Sequence, residues 1–347
     1  MQQDLSQVFK RCAEEEFYNS SPLYAELSLA IARDPEMLSL AAHSRTGERV
    51  PNLFFAAVHF LLLTGAQHPL SLWYRSLSGS RVPDEDLYPC FRSFCLAHQE
   101  EVRELISTRR VQTNEVRRSA CLLPAFALVA QKSKSRPLSL VDIGTSAGLN
   151  LFWDHYAYHY GELLCCGDMN SPVQIQCALR GNTLPPVFKA LPKVIARSGI
   201  DLNPIDMRQP EEVLWQRALI WPEHAERARL LRRAIGILQQ NPPTLIRGDG
   251  VDSLPAVMHS VSDDSVLCII RIFTQLSPAS RHGLYSFIYE YGAKRDVFLI
   301  SAKQHGRDVS ELHLLSIVDG VRDEKCVAYF QNHGAWIEWL PNESDDR

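Results

Sequence analysis

Residues 138–150, Leu-Ser-Leu-Val-Asp-Ile-Gly-Thr-Ser-Ala-Gly-Leu-Asn, constrain the fold more than any other stretch. A short apolar strand runs into Asp142, small residues turn the chain at Gly144 and Gly148, and apolar periodicity resumes at Leu149. A parallel strand that ends in a glycine turn before a helix N-terminus exposes backbone N–H groups, which can receive a polar ligand.

The remaining pattern fits around this element. From residue 1 to about 135 the chain reads as a helical module. Ser21-Pro22 forms an N-cap and first-turn pair before Leu23, Leu27, Ala30 and Ile31 at helical spacing. Phe91, Phe94, Cys95, Val102, Leu105 and Ile106 make one apolar stripe, and Gly65 is placed to end the helix that holds the Leu53–Leu63 run. The polar stretch Gln131–Pro137 sets this module apart from residues 136–347, where apolar runs of strand length alternate with helical stretches. Strands are predicted at 138–143, 193–200, 244–247, 266–272, 296–301, 312–318 and 326–330, and helices at 210–219, 223–239 and 277–291. The predicted fold class is α/β: a Rossmann-like, doubly wound, mostly parallel sheet with an antiparallel C-terminal edge, preceded by the helical module. Residues 158–190 read as an inserted hairpin and loop.

Composition narrows the classes of partner. The 347 residues are 46% hydrophobic and carry a formal net charge of −4, with Lys and Arg scattered, so no basic stripe favours a nucleic-acid backbone. The first residues lack a basic segment followed by an apolar run, which points to a cytoplasmic protein. The Leu53–Leu63 run is too short to span a membrane and contains His59, so a buried helix is expected. Nine cysteines without a Cys-x-x-Cys pair suit reduced, packed thiols.

Open parallel sheets bind ligands beyond the carboxyl ends of their strands, so the strand ends are compared as a set. The first gives Asp142, Gly144, Ser146 and Gly148; the second Gly199-Ile-Asp201-Leu-Asn203-Pro204; the third Gly248-Asp249-Gly250. Together they resemble Rossmann-like S-adenosylmethionine-dependent methyltransferases. The resemblance implies that the Asp142, Gly144, Ser146 and Gly148 turn takes the methionine part of S-adenosyl-L-methionine. It also implies that Asp201, with Asn203 beside it, takes the ribose hydroxyls, and that Asp249 reaches the adenine amino group. Carboxylate acceptors suit the hydroxyl and amino donors of a nucleoside, whereas a pyrophosphate needs N–H groups without neighbouring acids. Ser146 stands where the usual motif has its middle glycine, and Asp201 lies further from Gly148 than the roughly 20 residues commonly seen. Asp168 is the alternative ribose acid at shorter spacing; Asp201 is preferred because 194–200 supplies a better buried strand. The whole chain also resembles the uncharacterised bacterial family DUF2332, through Val111–Arg117, Asp142–Asn150 and Gly199–Asp206, and this implies the fold more firmly than the reaction.

Methyl transfer is an in-line displacement that needs an aligned acceptor and sometimes a base. The segment after the fourth strand offers Arg271, Thr274 and Gln275 but no Asn-Pro-Pro-Tyr arrangement, which favours a small-molecule acceptor over nucleic acid. Gln112, Asn114, Glu115 and Arg118 form a second polar cluster, read either as helix capping or as an acceptor-binding lid with Glu115 as a base. Thus Glu115, Thr274 and Gln275 are the catalytic candidates. His155 and His159, four apart with Asp154 nearby, could share a helical face, but no further ligand signature accompanies them, and no metal site is expected. No Gly-x-Ser-x-Gly elbow or Walker lysine occurs. Two other functional classes stay open: a non-catalytic adenosyl-ligand-binding or scaffold protein, and an NAD(P)-dependent oxidoreductase.

Overall fold

Asp142 is the penultimate residue of a strand whose six positions are all buried, which is the signature of a central strand covered on both faces. The structure is a computed structural model that describes residues 4–162, 164–188, 191–259, 261–274 and 276–341. Its helices are α1 (Leu5–Cys12), α2 (Pro22–Ile31), α3 (Pro35–Ala41), α4 (Val50–Leu63), α5 (Leu87–Ala97), α6 (Gln99–Thr108), α7 (Ser119–Lys132), α8 (Pro210–Ala218), α9 (Ala225–Gln240), α10 (Gly250–His259) and α11 (Pro278–Gly292). Its strands are β1 (Leu138–Ile143), β2 (Ala157–Tyr160), β3 (Leu164–Gly167), β4 (Gln174–Arg180), β5 (Val194–Asp201), β6 (Thr244–Arg247), β7 (Val266–Arg271), β8 (Val297–Gln304), β9 (Val309–Val318), β10 (Val321–Gln331) and β11 (Trp336–Trp339). The chain divides into two units, Met1–Thr113 with Arg208–Arg229, and Asn114–Met207 with Leu230–Arg347. Helix α7 and the Asn114–Arg118 segment therefore belong with the sheet.

The first unit is an aromatic-rich helical body. Phe9, Phe17, Tyr24, Phe54, Phe55 and Phe91 are all buried, and Tyr24 stacks on Phe55 at 4.3 Å between centroids. The Leu53–Leu63 run is the buried helix α4, which ends where Gly65 takes a φ of +104°. Within α4, His59 is satisfied by the Ala218 carbonyl at 3.0 Å and the Ser76 hydroxyl at 2.7 Å. Burial pushes it down to about 4, so it packs as a neutral ring. The N-cap at Ser21 forms, its hydroxyl accepting from the Tyr24 N–H at 3.2 Å.

Among the described residues the second unit holds one mostly parallel sheet of eleven strands in the order β3-β2-β4-β11-β10-β9-β8-β7-β1-β5-β6. Strands β8, β7, β1, β5 and β6 are mutually parallel, and the winding reverses between β1 and β7. Val141, Ile143, Leu267, Ile269, Leu299 and Leu315 share one face with Leu254 of α10 and Leu284 and Ile288 of α11.

Three features differ from the sequence reading. The antiparallel C-terminal strands are not an edge: β11 pairs in parallel with β4, so the insertion extends the same sheet and β3 becomes its border. The insertion is a β2–β3 hairpin plus a third strand, β4, parallel to β2. Finally, Leu149–His155 is 3-10 turn rather than α-helix, with Phe152 at φ −102° and ψ 20°. The Tyr156 hydroxyl donates to the Leu149 carbonyl at 2.8 Å and the Tyr158 hydroxyl to that of Trp153 at 2.5 Å. Side chains thus occupy carbonyls that a regular helix would bond internally.

Candidate functional site

The turn after β1 is built from close approaches. Gly144 has a φ of +78°, and a Cβ there would lie 1.8 Å from Thr274 Oγ1, which itself donates to the Ile143 carbonyl at 2.8 Å. Thr274 thus braces the strand end, and only glycine fits beneath it. Ser146 (φ +55°) and Gly148 (φ +83°) are also left-handed, a conformation that costs a non-glycine residue of order 1–3 kcal/mol. The Ser146 conformation is held from outside: its N–H donates to Asp201 Oδ2 at 2.8 Å, and its carbonyl accepts from the Ile205 N–H at 3.1 Å.

Strand order brings Asp142, Asp201 and Asp249 onto three neighbouring strand ends, those of β1, β5 and β6. Asp142 is buried, and its carboxyl is pushed up to about 7, chiefly by burial, with the Asp201 charge adding and the Thr145 hydroxyl and Arg118 opposing. Asp201 accepts the N–H of Asn203 on Oδ1 at 2.8 Å as well as that of Ser146. Asp249 accepts the Val251 and Asp252 N–H groups on Oδ1, capping α10. Asp168 is exposed beyond β3, at the opposite border of the sheet from β5 and β6.

Other candidates separate. Asn114 reaches the turn, its Nδ2 donating to the Thr145 carbonyl at 2.9 Å, while its buried Oδ1 has no hydrogen-bond partner among the described residues. The Ser146 hydroxyl is buried in the same condition. Arg118 lies 4.6 Å over the Phe273 ring and donates to the Asn332 carbonyl at 2.8 Å. Phe273 itself has a φ of +59°, a strained conformation for a bulky residue. Glu115 is buried, accepts the Arg117 N–H at 3.3 Å, and has His333 Nδ1 3.7 Å from its other oxygen. It therefore acts at least as a cap on the Val116–Arg118 turn. Gln112 belongs to the helical unit, where its carbonyl accepts from Gln216 Nε2 at 2.8 Å. Arg271 alternates with Ile270, the register partner of Asp142, and so points to the opposite face. Its Nη1 donates to the Thr274 carbonyl at 3.2 Å, and burial lowers its pKa. Gln275 lies outside the described residues.

His155 and His159 do not share a helical face, since one ends the 3-10 segment and the other sits in β2. His159 instead contacts Cys165 Sγ at 3.2 Å and Gln174 Oε1 at 2.5 Å. A different group went unread in the sequence: Glu311, His313 and Cys326, brought together by β9–β10 pairing. Alternation of Glu311 and His313 was its only local signal. A cleft of about 640 Å³ lies at the amino ends of β5 and β6, bordered by His155, Val194, Arg197, Asn241 and Thr244. Its lining runs along these strands as far as Ser198 and Ile246 and includes none of the residues of the turn after β1 at the carboxyl rim. The rim is the better candidate, because strained turns and buried unpartnered polar atoms converge there.

The architecture is a mixed α/β fold with a large, mostly parallel sheet and a polar turn at its winding reversal. The chain belongs to the family described as an uncharacterized protein conserved in bacteria (DUF2332), whose sequence pattern matches residues 6–339. No curated protein and no solved structure matches it. Among the described residues no helix is long and apolar enough to cross a membrane.

Proposed function

We propose that the chain is an S-adenosyl-L-methionine-dependent methyltransferase with a small-molecule acceptor. The observation that carries this reading is that buried polar atoms, Ser146 Oγ and Asn114 Oδ1 among them, have no hydrogen-bond partner among the described residues at a strained turn flanked by Asp142 and Asp201. Unsatisfied buried polar groups cost about 1–3 kcal/mol each, and a polar ligand in the turn would satisfy them.

The residues fit the donor as follows. Ser146 and Asn114 offer a hydroxyl and an amide oxygen to its amino-acid end. Asp201 spends one lone pair of each oxygen on backbone N–H groups and keeps the others for ribose hydroxyls. Asp249 keeps Oδ2 for an amino donor. When bound, the cofactor supplies a methyl group activated on sulfur. The chain's own part is to hold the acceptor in line, with Arg118 and Thr274 bordering the turn, and to take a proton where the acceptor releases one. Asp142, at about 7, is suited to hold that proton near neutral pH.

Calorimetry with S-adenosylmethionine and S-adenosylhomocysteine tests the reading. Binding is expected, and Ser146→Ala should weaken it about tenfold, equivalent to about 1.4 kcal/mol; Asp249→Ala should weaken it comparably. Absence of binding by folded protein overturns it. A non-catalytic adenosyl-binding role is the second reading, favoured by the structural use of Asp201 and Asp249. Binding without methyl transfer to any acceptor in a small-molecule panel would select it.

A further inference from the structure

We propose that Glu311, His313 and Cys326 form a second site, one that binds zinc or a zinc-like divalent transition metal. One ligand atom from each lies within 4.8 Å of the other two. Glu311 and His313 are two apart on β9 and project to the same side, and the register sets Cys326 of β10 directly opposite His313. A bulge between Cys326 and Ala328 interrupts the ladder beside the thiol, a device that re-aims side chains at functional positions.

The surroundings match what a metal site requires outside its ligands. Glu311 Oε2 is 2.8 Å from His313 Nε2, and its Oε1 is 2.9 Å from His305 Nδ1. His305 is in turn 4.9 Å from the Tyr329 ring. His305 therefore orients a ligating carboxylate from behind, the usual role of an outer partner. An ion would take the place of the proton between Glu311 and His313. The side chains of Glu311 and His313 are 18% and 25% exposed, enough for an ion to enter.

Donor chemistry selects the metal. Thiolate and imidazole favour zinc over the oxygen-seeking magnesium and calcium. Three protein ligands leave the fourth tetrahedral position for water or a bound molecule, as in catalytic rather than purely structural zinc sites.

The experiment uses the intact chain, stripped of metal with a chelator and titrated with zinc against a chromophoric competitor. One zinc per chain is expected. Cys326→Ser and His313→Ala should each weaken binding by more than about 100-fold, and His305→Ala by about 10-fold. Cobalt in place of zinc should give a thiolate-to-metal charge-transfer band that disappears in Cys326→Ser, with circular dichroism showing that variant folded. Absence of stoichiometric zinc binding, or a cobalt band that survives Cys326→Ser, overturns the proposal.

Discussion

Asp142 is the buried acid whose protonation matters most at the rim. Its folded value of about 7 stands above the ordinary 3.8, so the folded chain holds more protons than the unfolded one between those values. Stability is therefore lost as pH rises from about 4 to 7, by up to a few kcal/mol. Asp142→Asn should raise the melting temperature at pH 8 and leave it nearly unchanged at pH 4, measured by thermal melts across that range. Gly144 gives a steric prediction. Gly144→Ala should destabilise by more than about 1 kcal/mol, because the new methyl strikes Thr274 and the backbone is left-handed. Adding Thr274→Ala should restore the steric part and leave the backbone part, as urea titration of both variants would reveal. The glycines and acids were legible one at a time in the sequence. That Thr274 closes on Gly144, and that Asp201 holds Ser146, was not, because both contacts join residues far apart in the chain.

Elements were read best where apolar runs sit between turn residues. Strands β1 and β6 have their predicted bounds, and α8, α9 and α11 lie within two residues of theirs. β11 was missed because Trp336-Ile-Glu-Trp339 is short, and β9 was begun late because Val309-Ser-Glu311 alternates with polar residues. The 3-10 segment after the turn shows a different failure. Its residues carry helical spacing, but tertiary hydrogen bonds from Tyr156 and Tyr158 override it. Tyr156→Phe should cost about 1 kcal/mol and speed hydrogen exchange at Gly148 and Leu151 more than along β1. Uniform exchange changes would show that this hydroxyl does not hold the segment.

At the scale of the molecule, one buried group in each unit should answer pH in the opposite sense. His59, in the helical unit, stands at about 4 against an ordinary 6.5, so its stabilising contribution is complete above 6.5 and is lost as pH falls toward 4. Asp142, in the sheet unit, works the other way. Hydrogen exchange resolved by unit should show His59→Gln reducing acid sensitivity in α4, while Asp142→Asn reduces the loss of protection in β1 as pH rises from about 4 to 7. Identical pH profiles for each variant and the parent would contradict this. The pairing of β4 with β11 also bears on how the chain is made. Ala178 leaves the ribosome long before Trp336, its sheet partner, so the nascent insertion presents a bare strand edge through most of the synthesis that follows it. Interrupted translation should therefore yield products that associate through that edge, and the emergence of a single tetrapeptide, Trp336–Trp339, should end the hazard.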